Sequence, residues 1–164
     1  MEDFTDNAIK IINNATELAK QQANSQLLPL HFLAAFIPSD DTEGSTQYLK
    51  TLVKRARYEW GDFERIVNRH LVKIPSQNPP PDEIRPSYQA GQVLTKANKI
   101  KQQQKDSYVA QDHILLALLE DQSIKDIFKE AGMSVDTIKT QAIELRGSQR
   151  IDSRQADSSS SYEF

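Results

Sequence analysis

Apolar residues recur along this chain at helical spacing, and the pattern occurs twice. Ala8, Ile12, Ala15 and Ala19 fall on one face of a segment from Thr5 to about Gln22, with Lys10, Asn13, Glu17 and Gln21 on the others. A nearly continuous apolar run follows, Leu27 to Ile37 around His31, and its counterpart is Val109 to Leu119 around His113. Each run is too short to span a bilayer and too apolar for a surface, so each predicts a buried central helix. The first should start at Pro29, a favoured first helical position, and stop before Pro38.

The two halves align without a gap over their first part. At an offset of 82 positions Ala8 meets Ala90, Ile12 meets Leu94, Ala15 meets Ala97, Ser25 meets Ser107 and His31 meets His113. Beyond the central helix the offset becomes 75, with Leu49 on Ile124, Leu52 on Ile127, Ala56 on Ala131 and Phe63 on Ile138. The extra residues of the first half fall in Pro38 to Gly44, a turn-rich stretch where insertion costs little. This is an internal duplication.

Further helices are predicted over Ser45 to Arg57, Asp62 to His70, Ser87 to Gln104, Ser123 to Ala131 and Ser134 to Leu145, with Trp60 at a join. Thr5 and its mate Ser87 are the expected N-caps of the first helix in each half, and Gly132 a C-terminal cap. No segment alternates as a strand does. The stretch 73–86 holds five of the seven prolines and should be extended. The expected organisation is a domain over 1–146, with repeat 1 at about 4–72, a linker at 73–86 and repeat 2 at about 87–146. Residues 147–164 are polar and serine-rich, a linker toward a following module.

Composition narrows the chemistry. The chain has 164 residues, a formal net charge of -3 with both signs interspersed, and no cysteine. That gives no electrostatic footprint for nucleic acid or an anionic membrane, and it excludes disulfides and thiolate chemistry. A reducing home in the cytoplasm or nucleus is the expectation. No glycine-rich phosphate loop is present, so this stretch should not hydrolyse nucleotide. His31 and His113, at equivalent places in buried helices, read as structural residues rather than ligands or nucleophiles.

The duplication also marks where the halves part company. Asp106 stands where the first half has Asn24, Tyr108 where it has Gln26, and Asp112 where it has Leu30. Positions freed from a shared structural duty are candidates for binding. Asp112 lies in the first turn of its helix, where a carboxylate suits the helix dipole and can receive a peptide amide. Residue 110 is alanine, so that helix lacks a hydroxyl cap and Asp112 can serve the fold as well.

The paired motifs Pro29-Leu30-His31-Phe32-Leu33-Ala34-Ala35-Phe36 and Ala110-Gln111-Asp112-His113-Ile114-Leu115-Leu116, with the segment 67–75, the Pro86-Ser87 restart and Glu144-Leu145-Arg146-Gly147, resemble the Clp amino-terminal repeat domain, most closely that of ClpB-type AAA+ disaggregases. The resemblance covers about residues 4–157. It implies an all-α fold of two pseudo-twofold-related four-helix repeats, about eight helices, tethered ahead of ATPase modules that use ATP and magnesium in a homohexamer. In itself the domain would be a monomer without cofactor, metal site or catalytic residue, and would bind neither nucleic acid nor membrane. Its implied partners are unfolded or aggregated proteins, gripped through exposed apolar or extended segments; the alternative is docking of an adaptor or co-chaperone. On matching positions the implied polar site residues are Thr5, Asp106 and Asp112, with Val93, Leu94, Tyr108 and Ile114 as apolar neighbours. The tail ending in Tyr162 and Phe164 is expected to lie in the groove of a neighbouring molecule, its aromatics near Leu94 and Ile114, in imitation of substrate.

Overall fold

The structure is a computed structural model and describes residues 3–38 and 47–158. Repeat 1 contains α1 (Asp6–Gln21), α2 (Pro29–Ala35), α3 (Tyr48–Arg55) and α4 (Trp60–Val72). Repeat 2 contains α5 (Tyr88–Gln103), α6 (Gln111–Leu118), α7 (Gln122–Glu130) and α8 (Val135–Arg146). The fold is therefore all-helical, in two four-helix repeats, and helix starts match at the two offsets read from the sequence, α7 alone starting one residue early against α3. Part of the longer first-repeat loop lies outside the described residues.

Local chemistry repeats with the helices. The Thr5 hydroxyl accepts from the Ala8 N–H at 3.1 Å and the Ser87 hydroxyl from Ala90 at 3.0 Å, so both first helices carry the expected cap. Ala23 and Lys105, which are mates, both take left-handed backbone with φ of 53° and 59°. Arg57 and its mate Gly132 do likewise, at 65° and 73°. That conformation turns the chain at the helix end; glycine adopts it freely and arginine does not.

The expectation of no strand needs one correction. Gln26–Leu27 (β1) and Arg85–Pro86 (β2) pair in parallel, and an isolated parallel bridge joins Phe4 to Val109. Their geometry obeys the duplication: Phe4 is the mate of Pro86 and Val109 the mate of Leu27. The N–H of Thr5 reaches the Val109 carbonyl at 2.9 Å and that of Ser87 reaches Leu27 at 2.8 Å. Each bridge ties the start of one repeat to the loop before the other repeat's central helix. Two residues are too few for an alternating pattern to show.

A single apolar core runs through both repeats. Phe32 and Leu33 of α2, Ile114 and Leu115 of α6, Phe63 of α4 and Phe128 of α7 are fully buried, with the last two rings 4.9 Å apart. The central helices α2 and α6 pack against each other and against the first helices of both repeats. Shared burial of this kind makes the repeats one domain.

Residues 147–158 depart from the expectation of a free linker. Ile151 is 1% exposed and Asp157 0%. Residues 151–158 lie on their own domain, and the expected seating of Tyr162 and Phe164 on a neighbouring molecule falls outside the described residues. An isoleucine and a carboxylate with waiting partners suffice to dock a segment whose composition alone suggests disorder.

Candidate functional site

The site grows from the starts of α1 and α6, which the Phe4–Val109 bridge sets side by side. Both central helices carry, at their third residue, a histidine that does a cap's work. The ring Nδ1 of His31 accepts the Leu28 N–H at 2.9 Å, and that of His113 accepts Ala110 at 2.8 Å. With Nδ1 accepting, Nε2 must carry the proton. It donates to Asn24 Oδ1 at 2.8 Å in repeat 1 and to the mate of that residue, Asp106, at 2.8 Å in repeat 2. Burial lowers the His31 pKa to about 4, so this ring is neutral at pH 7.

Repeat 2 carries ions where repeat 1 carries none. Asp106 and Asp112 are 7% and 2% exposed, and Arg146 of α8 stands between them. Its Nη1 reaches Asp106 at 2.9 Å and its Nη2 reaches Asp112 at 2.9 Å. Burial alone would lower the guanidinium pKa, but Asp112 and Asp106 outweigh it and hold the pKa above the usual value. The contact of Arg146 Nη2 with His113 Nε2, at 3.2 Å, joins two donors and is packing rather than a hydrogen bond. Among the described residues no group of His, Asp and Glu is placed to hold a metal ion.

Over this cluster lies the segment 151–158, in extended and turn conformation, held through both its main chain and its side chains. The Ile151 N–H donates to Asp106 Oδ1 at 3.1 Å, and the Ile151 carbonyl accepts from Ser107 at 2.8 Å. Farther along, the Arg154 carbonyl accepts the N–H of Asp6, the first residue of α1, at 2.8 Å. The Arg154 guanidinium stacks over Tyr108 and donates to the Phe4 carbonyl. Asn7 and Gln111 side-chain amides both donate to the Asp157 carbonyl, at 2.7 and 3.0 Å.

The carboxylate of Asp157 closes the arrangement. Its Oδ2 accepts from the Thr5 hydroxyl at 2.9 Å and from the N–H of Gln111, the first residue of α6, at 2.8 Å. Its Oδ1 is buried and has no hydrogen-bond partner. Burial raises the Asp157 pKa to about 6, against the pull of the Gln111 and Thr5 donors.

Of the residues read from the sequence, Thr5, Asp106 and Tyr108 touch this segment, and Asp112 lies behind it on Arg146. Leu94 is half-buried against the core, while Val93 and Ile114 are 3% and 0% exposed within it. Those last two are core residues and line no groove: their apolar faces meet other helices. Arg146, Gln111 and Asp157 complete the site beyond the residues that the sequence marks. Arg146 was within reach, because at the offset of 75 it stands on Leu71, the same kind of polarity change that marked Asp106 and Asp112.

Comparison with known proteins fixes the family. The model of the Clp repeat (R) N-terminal domain matches residues 3–131. The chain belongs to that family. It is 36% identical to Heat shock protein 104 of Schizosaccharomyces pombe over 94% of this chain and 17% of that protein. It is 40% identical to Heat shock protein hsp98 of Neurospora crassa over 98% of this chain and 19% of that protein. The chain thus spans under a fifth of the length of these relatives. Among solved structures it matches the Hsp104 N-terminal domain from Candida albicans at 96% identity and a TM-score of 0.90, covering 95% of this chain and 99% of that one. No helix among the described residues is long and apolar enough to cross a membrane.

Proposed function

We propose that this Clp repeat domain is the substrate-engaging module of an ATP-dependent protein disaggregase, gripping extended polypeptide and passing it to ATPase modules elsewhere in the protein. The observation that carries the reading is the seating of residues 151–157 between the starts of α1 and α6. Main-chain groups of the segment take part throughout: the Ile151 N–H donates to Asp106, Ser107 donates to the Ile151 carbonyl, Asp6 to the Arg154 carbonyl, and Asn7 and Gln111 to the Asp157 carbonyl. Groups of this kind are present on every unfolded chain, so a groove that reads them accepts many sequences. One buried aliphatic side chain, Ile151, adds the apolar term.

In this reading a client competes with the chain's own segment for Thr5, Asp6, Asn7, Ser107 and Gln111. Reduced, carboxymethylated α-lactalbumin carrying a fluorescent label is a suitable probe, titrated with this chain and followed by anisotropy. Saturable binding of the unfolded protein, absent for native α-lactalbumin, is the expected result. Equal affinity for both forms would point to recognition of a folded surface and against this function.

A further inference from the structure

The duplication gives the groove just described a mate, and no segment among the described residues covers it. Pro29 of α2 corresponds to Gln111, Gln89 of α5 to Asn7, and Leu30 to Asp112. These residues, with Leu28, line a groove of about 480 Å³ together with His70 of α4 and with Ser123, Asp126, Ile127 and Glu130 of α7. Where repeat 2 is covered by residues 151–158, repeat 1 has no segment of the chain among the described residues.

We propose that this open groove is a second polypeptide site, for an extended segment that presents an aliphatic side chain where the occupied groove receives the Asp157 carboxylate. The inference rests on the reading of the domain as a polypeptide-binding module. The two grooves keep the same backbone frame but differ in chemistry. Pro29 has no N–H, so the donor that Gln111 gives to a carboxylate is missing. Leu30 replaces Asp112, and Leu28 and Ile127 make the floor aliphatic. Asp126 and Glu130 on the wall oppose an acidic residue, Glu130 being shared between Arg69 and His70. The Gln89 amide retains the role of the Asn7 amide, which in the mate donates to a main-chain carbonyl. The open groove therefore selects for an aliphatic, non-acidic segment. A client bound there would not displace residues 151–158, which suits a first contact.

The test uses two ten-residue peptides and the full chain labelled with nitrogen-15. One peptide copies residues 149–158, Gln-Arg-Ile-Asp-Ser-Arg-Gln-Ala-Asp-Ser; the other has leucine in place of its ninth residue. The leucine peptide should shift the amides of Leu28, Leu30, Gln89 and Ile127 saturably, with an affinity about tenfold above that of the native peptide, a step expected for one buried aliphatic side chain. Ser123→Trp, placed on the exposed rim, should weaken it about tenfold with the melting temperature unchanged, and Gln89→Glu should weaken it by a smaller factor. Shifts confined to Thr5, Tyr108 and Gln111 would overturn the open site while leaving polypeptide binding intact. An absence of shifts while the unfolded lactalbumin still binds would overturn it equally, and failure of both probes would remove the underlying reading.

Discussion

Leu71 and Arg146 occupy the same place in the two repeats at the offset of 75, each in the last turn of a fourth helix, Leu71 buried as an apolar residue and Arg146 bonded to two carboxylates. Arg146 pairs with Asp106 and Asp112, and the mates of those two carboxylates in repeat 1 are Asn24 and Leu30. One repeat solves the site without ions and the other with a buried triad. Removing only the cation should be costly: Arg146→Leu leaves two carboxylates facing each other and should destabilise by about 3 to 5 kcal/mol. The triple variant Asp106→Asn, Asp112→Leu, Arg146→Leu installs the solution of repeat 1 and should recover most of that loss. Urea unfolding of the three proteins checks it; a triple variant no better than the single one would contradict it.

Acid should act on repeat 1 through His31. Its folded pKa of about 4 lies below the ordinary 6.5, so the unfolded chain binds the proton first and stability falls as pH drops through that window. Between pH 7 and 5 the loss from this residue should approach about 2 kcal/mol. In His31→Gln, whose amide can accept from Leu28 and donate to Asn24, this part of the pH dependence should vanish, as read from denaturation midpoints at the two pH values.

Asp157 works in the opposite direction. Its pKa of about 6 is raised above the ordinary carboxyl value, so the folded chain binds the proton first and docking strengthens as pH falls below 6. The destabilisation caused by Asp157→Ala should therefore grow by about 1 kcal/mol from pH 7 to pH 5. A penalty that shrinks toward pH 5 would show that the carboxylate is better held charged than neutral.

The core makes a simpler prediction. Leu33 and Leu115 are mates and both 0% exposed. Each changed to Ala should cost about 2 to 5 kcal/mol in chemical denaturation, and each should unfold the domain as one unit because the repeats share a core. Two separate transitions in either variant would show independent halves.

How much of this was legible before the fold is visible in particular residues. The helices, their caps at Thr5 and Ser87, the loop insertion and the structural role of the histidines follow from periodicity and self-comparison, because local patterns report local structure. The parallel bridge of Phe4 with Val109 does not, since it joins residues far apart in sequence through main-chain atoms that any side chain can carry. The docking of Ile151 and Asp157 was hidden for the same reason: the partners Thr5 and Gln111 lie in distant segments, and the composition of 147–158 points to disorder. Val93 and Ile114 suit a groove or a core equally by sequence, because apolar residues stand near polar ones in both, and only packing separates the two.

The central claim is that the groove between α1 and α6 grips extended polypeptide and that residues 151–157 occupy it in competition. The most direct measurement is the affinity of carboxymethylated α-lactalbumin for the chain and for Ile151→Ser, which removes the buried aliphatic anchor of the segment and keeps the rest of the site. Loosening the segment raises the fraction of open grooves, so the apparent affinity should rise, by about tenfold if docking is weakened by about 1.4 kcal/mol. An affinity that is unchanged or lower in Ile151→Ser, with the fold intact by circular dichroism, would contradict the account.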